Sequence, residues 1–188
     1  MSEVLNANAD VEERSDFSRR RVVAGVAWSL PVIATAIAAP AAAASGISAT
    51  AAFDGVGSAV SFSELSAPGQ SRTGTGPTGF HIKNNGSQIT SSITGLIRIE
   101  PAPAATGDPG VGVQSLTGTT LTSPSLSPSN VFTANFSIPG ISSSGTASVG
   151  ISFYYKGKKS QLRNFLMSLT LTYPDGKVET ISTSIGLT

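Results

Sequence analysis

The chain has 188 residues, with 12 Lys and Arg, 11 Asp and Glu, one His and no Cys, and its formal net charge is +1. Without cysteine and with a single histidine, the sequence excludes disulfides, thiol nucleophiles, zinc sites built from several imidazoles and any relay of two histidines, so we expect neither a metal nor another cofactor. The near-neutral charge provides no general attraction to phosphates, so no nucleic-acid partner is expected.

The first 44 residues have the layout of an export signal. Three consecutive arginines stand directly before an uncharged run, Val22–Ala39, and a stretch rich in alanine follows. This order of charged, apolar and small residues is typical of a secretory precursor. We therefore predict a signal helix in residues 1–44, removed by cleavage after Ala44, and a mature domain in residues 45–188. The residues of the predicted cleavage site are Ala42, Ala44 and Ser45.

The segment Ser18–Ala24, which reads Ser-Arg-Arg-Arg-Val-Val-Ala, resembles the signal of the twin-arginine (Tat) export route. That signal has a serine, two arginines, any residue and two hydrophobic residues, within a long charged start and a mildly apolar core. Over residues 16–45 the chain is similar to signals of exported proteins from high-GC Gram-positive bacteria. The resemblance implies that the Tat export machinery binds Arg19 and Arg20, that a signal peptidase processes the chain, and that the product is secreted or held at the cell surface.

Two alternatives to cleaved Tat export stay open. Tat signals usually have a lysine after the hydrophobic pair, whereas this chain has Ala24 there, so the general secretory route is the first alternative. As a helix, residues 22–39 would reach about 27 Å, close to the roughly 30 Å of a bilayer core. An uncleaved membrane anchor through residues 22–39 is therefore the second alternative.

The mature chain alternates apolar and polar residues and has no stretch with convincing helical periodicity. Apolar residues at every second position are typical of strands with one buried face. Such stripes occur over Ile47–Phe53, Val60–Phe62, Phe80–Ile82, Ile93–Ile99, Phe132–Ile138, Ala147–Tyr155, Met167–Tyr173 and Val178–Ile185. The pattern predicts an all-β fold, an antiparallel immunoglobulin-like β-sandwich of seven or eight strands, with a jelly roll or small barrel as the alternative.

Clusters of glycine, proline and asparagine separate the stripes. Three of them, Asn84–Ser87, Lys156–Lys159 and Tyr173–Lys177, have the composition of hairpin turns. Two proline-rich stretches, Pro101–Pro109 and Ser123–Asn130, are interpreted as loops or as connections that cover strand edges.

Chemically reactive side chains are scattered through the mature chain. His81 alternates with Phe80 and Ile82, so we expect its ring on the solvent face of a strand, beside Lys83. A glycosidase needs two converging carboxyl groups and a calcium site needs several, whereas these carboxylates are far apart in sequence. They are Asp54, Glu64, Glu100, Asp108, Asp175 and Glu179. We predict no catalytic residues, and a secreted hydrolase built from scattered carboxylates stays as an alternative.

One segment has the character of a binding site. Phe153–Lys159 combines aromatic residues with closely spaced lysines, and Arg163 follows. Such a cationic group, with Tyr154 pointing outward beside it, would attract an anionic wall polymer such as teichoic acid, or an acidic protein. The alternative is a soluble hairpin tip whose lysines prevent edge pairing. The candidate contact residues are Tyr154, Lys156, Lys158, Lys159 and Arg163.

Together these patterns predict a secreted or cell-surface β-sandwich that acts by binding or as a structural module. Its partner is expected to be a cell-wall polymer or another surface protein. A subunit of a surface filament or assembly is an alternative, because exposed strand edges would allow copies to associate.

Overall fold

The computed structural model describes residues 46–67, 69–104, 109–157 and 162–188, and every regular element in them is a β-strand. The strands are β1 (Ala49–Asp54), β2 (Ser58–Glu64), β3 (Ser71–Gly76), β4 (Gly79–Asn84), β5 (Ile93–Pro101), β6 (Gly110–Leu116), β7 (Thr122–Leu126), β8 (Phe132–Ile138), β9 (Thr146–Lys156), β10 (Arg163–Thr172) and β11 (Val178–Leu187). No helix in these ranges has the length and apolarity that crossing a membrane requires.

The predicted signal segment lies outside the described residues. This applies to residues 1–44, to Arg19 and Arg20, and to the cleavage-site residues Ala42, Ala44 and Ser45. The signal and its processing therefore stay predictions.

The eight stripes of alternating residues all correspond to strands, and the predicted all-β sandwich is confirmed. The described residues contain three further strands, β3, β6 and β7, which the alternation did not indicate. Glycine occupies two of the three inward positions of β3, with Arg72 at the third, and glycine also lies between the valines of β6, so no apolar stripe forms there. β7 contains Pro124 and corrects the interpretation of Ser123–Asn130 as a loop, since proline is accepted on an edge strand.

The strands form one curled sheet in the order β1-β4-β9-β2-β3-β11-β10-β5-β8-β7, and β6 adds to β9. The described pairings are antiparallel except for β2 with β9, which is parallel. β9 is long enough to pair with β4 through Thr146–Gly150 and with β6 through Ile151–Lys156. In the resulting sandwich one layer contains β1, β4, β9 and β6, and the other contains β11, β10, β5, β8 and β7.

The core lies between these layers. Phe80 of β4 meets Phe136 of β8 across the sandwich, with ring centroids 5.5 Å apart. Phe62 and Phe153 pack at 5.3 Å where β2 meets β9. Because each such side chain contributes about 1.5–3 kcal/mol when it is fully buried, these contacts are a main source of stability.

One of the three predicted hairpin turns is confirmed. Tyr173–Lys177 joins β10 to β11, and the amide of Gly176 donates to the carbonyl of Tyr173 at 2.9 Å. The prediction of hairpins at Asn84–Ser87 and Lys156–Lys159 is wrong, because the strands before and after each stretch do not pair with each other. β4 and β9 belong to one layer, whereas β5 and β10 pair with strands of the other.

Candidate functional site

One long stretch of the mature chain is free of charge. From Pro109 to Tyr155 the sequence contains no Asp, Glu, Lys, Arg or His. This stretch forms β6, β7, β8 and nearly all of β9, together with their connections. We call residues 109–155 the uncharged side. Since exposed surfaces of soluble domains usually mix both signs of charge, this side is distinctive and is a candidate contact surface.

Two grooves are lined largely by the uncharged side, and the larger of them crosses the outer face of β8 and of its neighbours β5 and β10. It has a volume of about 770 Å³, and Thr94, Leu96 and Thr170 form part of its floor. Thr119 and Thr122 form its wall and are held in place because their hydroxyls donate to carbonyl oxygens of β8, at 2.7 and 3.2 Å. We call this the threonine groove. It offers hydroxyl and amide groups on rigid strands and no ionised group.

A second groove follows the open seam between β6 and β7. It has a volume of about 590 Å³ and a mainly apolar lining that includes Leu65, Leu121, Pro124 and Leu126. We call it the seam groove. Leu65 is 53% exposed, so the groove presents apolar surface to solvent.

Both strands beside the seam groove have an edge available for pairing. Among the described residues β6 pairs with β9 alone and β7 with β8 alone. Free strand edges usually carry lysine or other charges that prevent association. These two strands have no charged residue, although Pro124 interrupts the donors of β7.

The opposite edge of the sheet, β1, is covered by side chains. The amide of Ala51 donates to Glu179 Oε1 at 3.0 Å, and Lys177 Nζ donates to the carbonyl of Ala49 at 2.6 Å. Glu179 also accepts a bond from the Tyr173 hydroxyl at 2.7 Å. Burial, reinforced by that bond, raises the pKa of Tyr173 well above its usual range, so the phenol stays neutral. Ionic side chains thus replace a strand partner at β1.

Asp175 holds the chain ahead of β1. Its two carboxylate oxygens accept bonds from the amide of Ile47 at 2.7 Å and the amide of Lys177 at 3.0 Å. These backbone donors, the Ile47 amide foremost, hold the pKa of Asp175 below its usual value. A carboxylate with a lowered pKa in the folded state stabilises the protein above the unfolded pKa, and this contribution is lost as the pH falls.

We expect Asp175→Asn to lower the melting temperature at pH 7, because an amide has one acceptor oxygen where the carboxylate has two. The difference from the wild type should shrink below the unfolded pKa of about 3.9, where Asp175 becomes protonated and loses the same advantage. Thermal unfolding at pH 7 and at about pH 2.5 measures it. A difference that is equally large at both pH values would contradict the assigned bonds.

The predicted cationic contact is described only in part. Lys156 is exposed and lies opposite Gly110 in the β9–β6 register. Arg163 is half-buried, and its Nη1 donates to the carbonyl of Pro109 at 3.2 Å. The structure therefore brings these two cations together near the start of β6. Lys158 and Lys159 lie outside the described residues, so their part in the contact stays a prediction.

The expected outward, exposed position of Tyr154 is wrong. Its side chain is only 9% exposed and packs edge-to-face on Phe132, with centroids 6.0 Å apart. Its ring lies across Gly112, where any side chain would overlap it. Burial also raises the pKa of Tyr154. Three consecutive aromatic residues, 153 to 155, are thus buried, because both faces of β9 are covered at this point.

His81 is on the wetter face of β4, as expected, but it has a partner that the sequence did not reveal. Its Nδ1 lies 2.6 Å from Asp54 Oδ1, and both side chains are more than a third exposed. The pairing of β1 with β4 places Asp54 two positions beyond the residue opposite His81. A histidine oriented by a carboxylate is one component of a nucleophilic triad. A hydroxyl nucleophile bonded to this ring is not among the interactions of the described residues.

The other carboxylates do not converge in the described part of the chain. Glu64 accepts a bond from the Tyr155 hydroxyl at 3.2 Å, and Glu100 pairs with Arg98 at 2.7 Å. Asp108 lies outside the described residues. Within those residues, His, Asp and Glu form no group of three that would hold a metal ion.

Comparison with known proteins adds little to these observations. No protein family matches the chain, and no curated protein matches it. Among solved structures it is similar to a cohesin module from the Clostridium perfringens ATCC13124 family 33 glycoside hydrolase. The similarity covers 74% of this chain and 93% of that chain, at 17% identity and a TM-score of 0.31. At this level the likeness supports no inference about a ligand or an activity.

Proposed function

We propose that this protein is a secreted or cell-surface β-sandwich that acts by binding, and that its uncharged side carries the contact. The observation that carries the proposal is that a stretch without any charge, Pro109–Tyr155, forms most of the lining of both the threonine groove and the seam groove. A surface of this kind excludes ionic recognition and favours a neutral partner.

The threonine groove supports a partner rich in hydroxyl groups. Its wall is fixed by the bonds of Thr119 and Thr122 to β8, so little side-chain freedom is lost on binding. Leu96, which is 39% exposed, adds apolar contact to the floor. A neutral wall polysaccharide matches this combination of hydroxyl groups and modest apolar area.

Retention on purified cell walls of a high-GC Gram-positive bacterium tests the proposal. We expect Thr94→Lys, at an exposed position of the groove floor, to weaken retention about tenfold, because it places a charge in the neutral groove. Thr73→Lys adds the same charge on the exposed face of β3 and is the matched control, expected to behave as the wild type. Retention should also be insensitive to salt.

A second arm tests the cationic alternative. Changing Lys156, Lys158 and Lys159 together to serine should leave retention unchanged if the threonine groove carries the contact. If this variant loses retention while Thr94→Lys keeps it, and salt weakens the binding, the cationic segment is the contact instead. Absence of retention by the wild type would reject wall binding.

We also propose that the protein is exported through the Tat route and cleaved before Ser45. The support is the Ser18–Ala24 motif and the small residues at Ala42 and Ala44. Secretion should stop when Arg19 and Arg20 are both replaced by lysine. Unchanged secretion would favour the general secretory route, and a surface-exposed product that still begins at Met1 would favour an anchor.

A further inference from the structure

The edge strands of the described sheet differ in whether side chains bond their outward backbone groups. At β1, Lys177 and Glu179 bond the outward backbone groups, so a further strand cannot add there without displacing them. In the described residues β6 and β7 have no second strand partner and no charged residue of their own, and the cations Lys156 and Arg163 lie only at the start of β6. The first edge is protected against association and the second is not.

The seam groove joins these two unprotected edges. Its lining has leucine, valine and proline side chains and no ionised group. Apolar area beside a strand edge is the combination that receives another polypeptide in β-strand addition, since the backbone supplies hydrogen bonds and the groove takes alternate side chains.

The absence of charge on this surface favours a second copy of the chain as its partner. A charged surface laid on this side would lose hydration without gaining an ion pair, which is costly. The uncharged side of a second copy meets no such penalty, because residues 109–155 contain no charge in either copy. A two-fold arrangement brings this same patch from both copies together.

We propose that the seam between β6 and β7 is the surface through which two copies of this chain associate. Leu65, Leu121 and Leu126 supply the apolar contact, and the edge of β6 supplies backbone donors and acceptors. The proposal goes beyond wall binding, which uses the threonine groove. Self-association is measured without any wall polymer, so either proposal can fail while the other holds.

Sedimentation velocity of the purified protein between about 1 μM and 1 mM tests the proposal. We expect a reversible monomer–dimer equilibrium that does not weaken as NaCl is raised. Ser125→Lys places a charge at an exposed position of the seam groove and should raise the dissociation constant at least about tenfold. Ser184→Lys makes the same change at an exposed position of β11 and should have no effect.

A second pair of variants removes apolar contact at positions that tolerate charge. Leu65 is 53% exposed beside the seam and Leu162 is 71% exposed outside its lining, so neither lysine substitution should unfold the protein. Leu65→Lys should weaken the dimer and Leu162→Lys should not. A wild type that stays monomeric to about 1 mM overturns the proposal, as does a dimer that both members of each pair weaken equally.

Discussion

Replacing Phe153 by alanine is expected to lower the free energy of unfolding by about 3–5 kcal/mol. The side chain is 2% exposed and packs on Phe62 with ring centroids 5.3 Å apart. Removing it costs the transfer free energy of the ring and leaves a cavity where β2, β9 and β6 meet. Urea unfolding followed by circular dichroism measures the change.

Val178→Ala is the control for this substitution. Val178 is 60% exposed at the start of β11, so the loss should stay within about 0.5 kcal/mol, as is usual for surface positions. If Phe153→Ala costs less than about 1 kcal/mol, the ring is not part of the core and the register of β9 is wrong.

Gly74→Ala is expected to destabilise the protein by about 1–3 kcal/mol or more, although it adds a single methyl group. A Cβ at this position would overlap the backbone carbonyl oxygen of Gly186 and crowd the ring of Phe62. Backbone cannot move aside as a flexible side chain can, so β3 would have to separate from β11. These two strands hold the layers together through only a short pairing.

The same strand provides a matched control. At Gly76 a Cβ would lie 3.4 Å from Val60 and 3.6 Å from Ile185, which is ordinary van der Waals contact. Gly76→Ala should therefore change the free energy of unfolding by much less than Gly74→Ala. Equal losses in both variants would contradict the close approach of β3 to β11.

Strands with a regular apolar stripe were predictable from the sequence. β10, for example, alternates from Phe165 to Leu171, and its hairpin turn follows in Tyr173–Lys177. β3 and β6 were not predictable, because their glycines leave backbone where an apolar side chain would mark the buried face. Strand order and the parallel pairing of β2 with β9 depend on long-range contacts that alternation does not encode.

The candidate site was predictable only in part. His81 could be assigned to a polar face, but its contact with Asp54 depends on the register between β1 and β4. Tyr154 was expected to point outward, and it is instead buried against Phe132, because Gly112 on the neighbouring strand leaves room for its ring. The sequence alone does not show that a glycine lies opposite this tyrosine, because that depends on which strands pair.

The uncharged stretch is plain in the sequence, yet its meaning depends on the fold. The run without charge, Pro109–Tyr155, contributes β9 and β6 to one layer and β8 and β7 to the other. The fold brings β6 and β7 together at the seam groove, and residues of the run also form most of the lining of the threonine groove. The position of the charges, more than any single residue, is the basis of the proposed function.

The central claim is that the uncharged side makes the contact with the cell wall. Hydrogen–deuterium exchange of the protein's backbone amides, compared with and without purified cell walls, tests it most directly. The account predicts slower exchange in the segment that forms the groove wall, Thr117–Thr122, and in β8, with no change in β1 and β4. Protection confined to the connection between Lys156 and Arg163, or spread equally over the sheet, would contradict it.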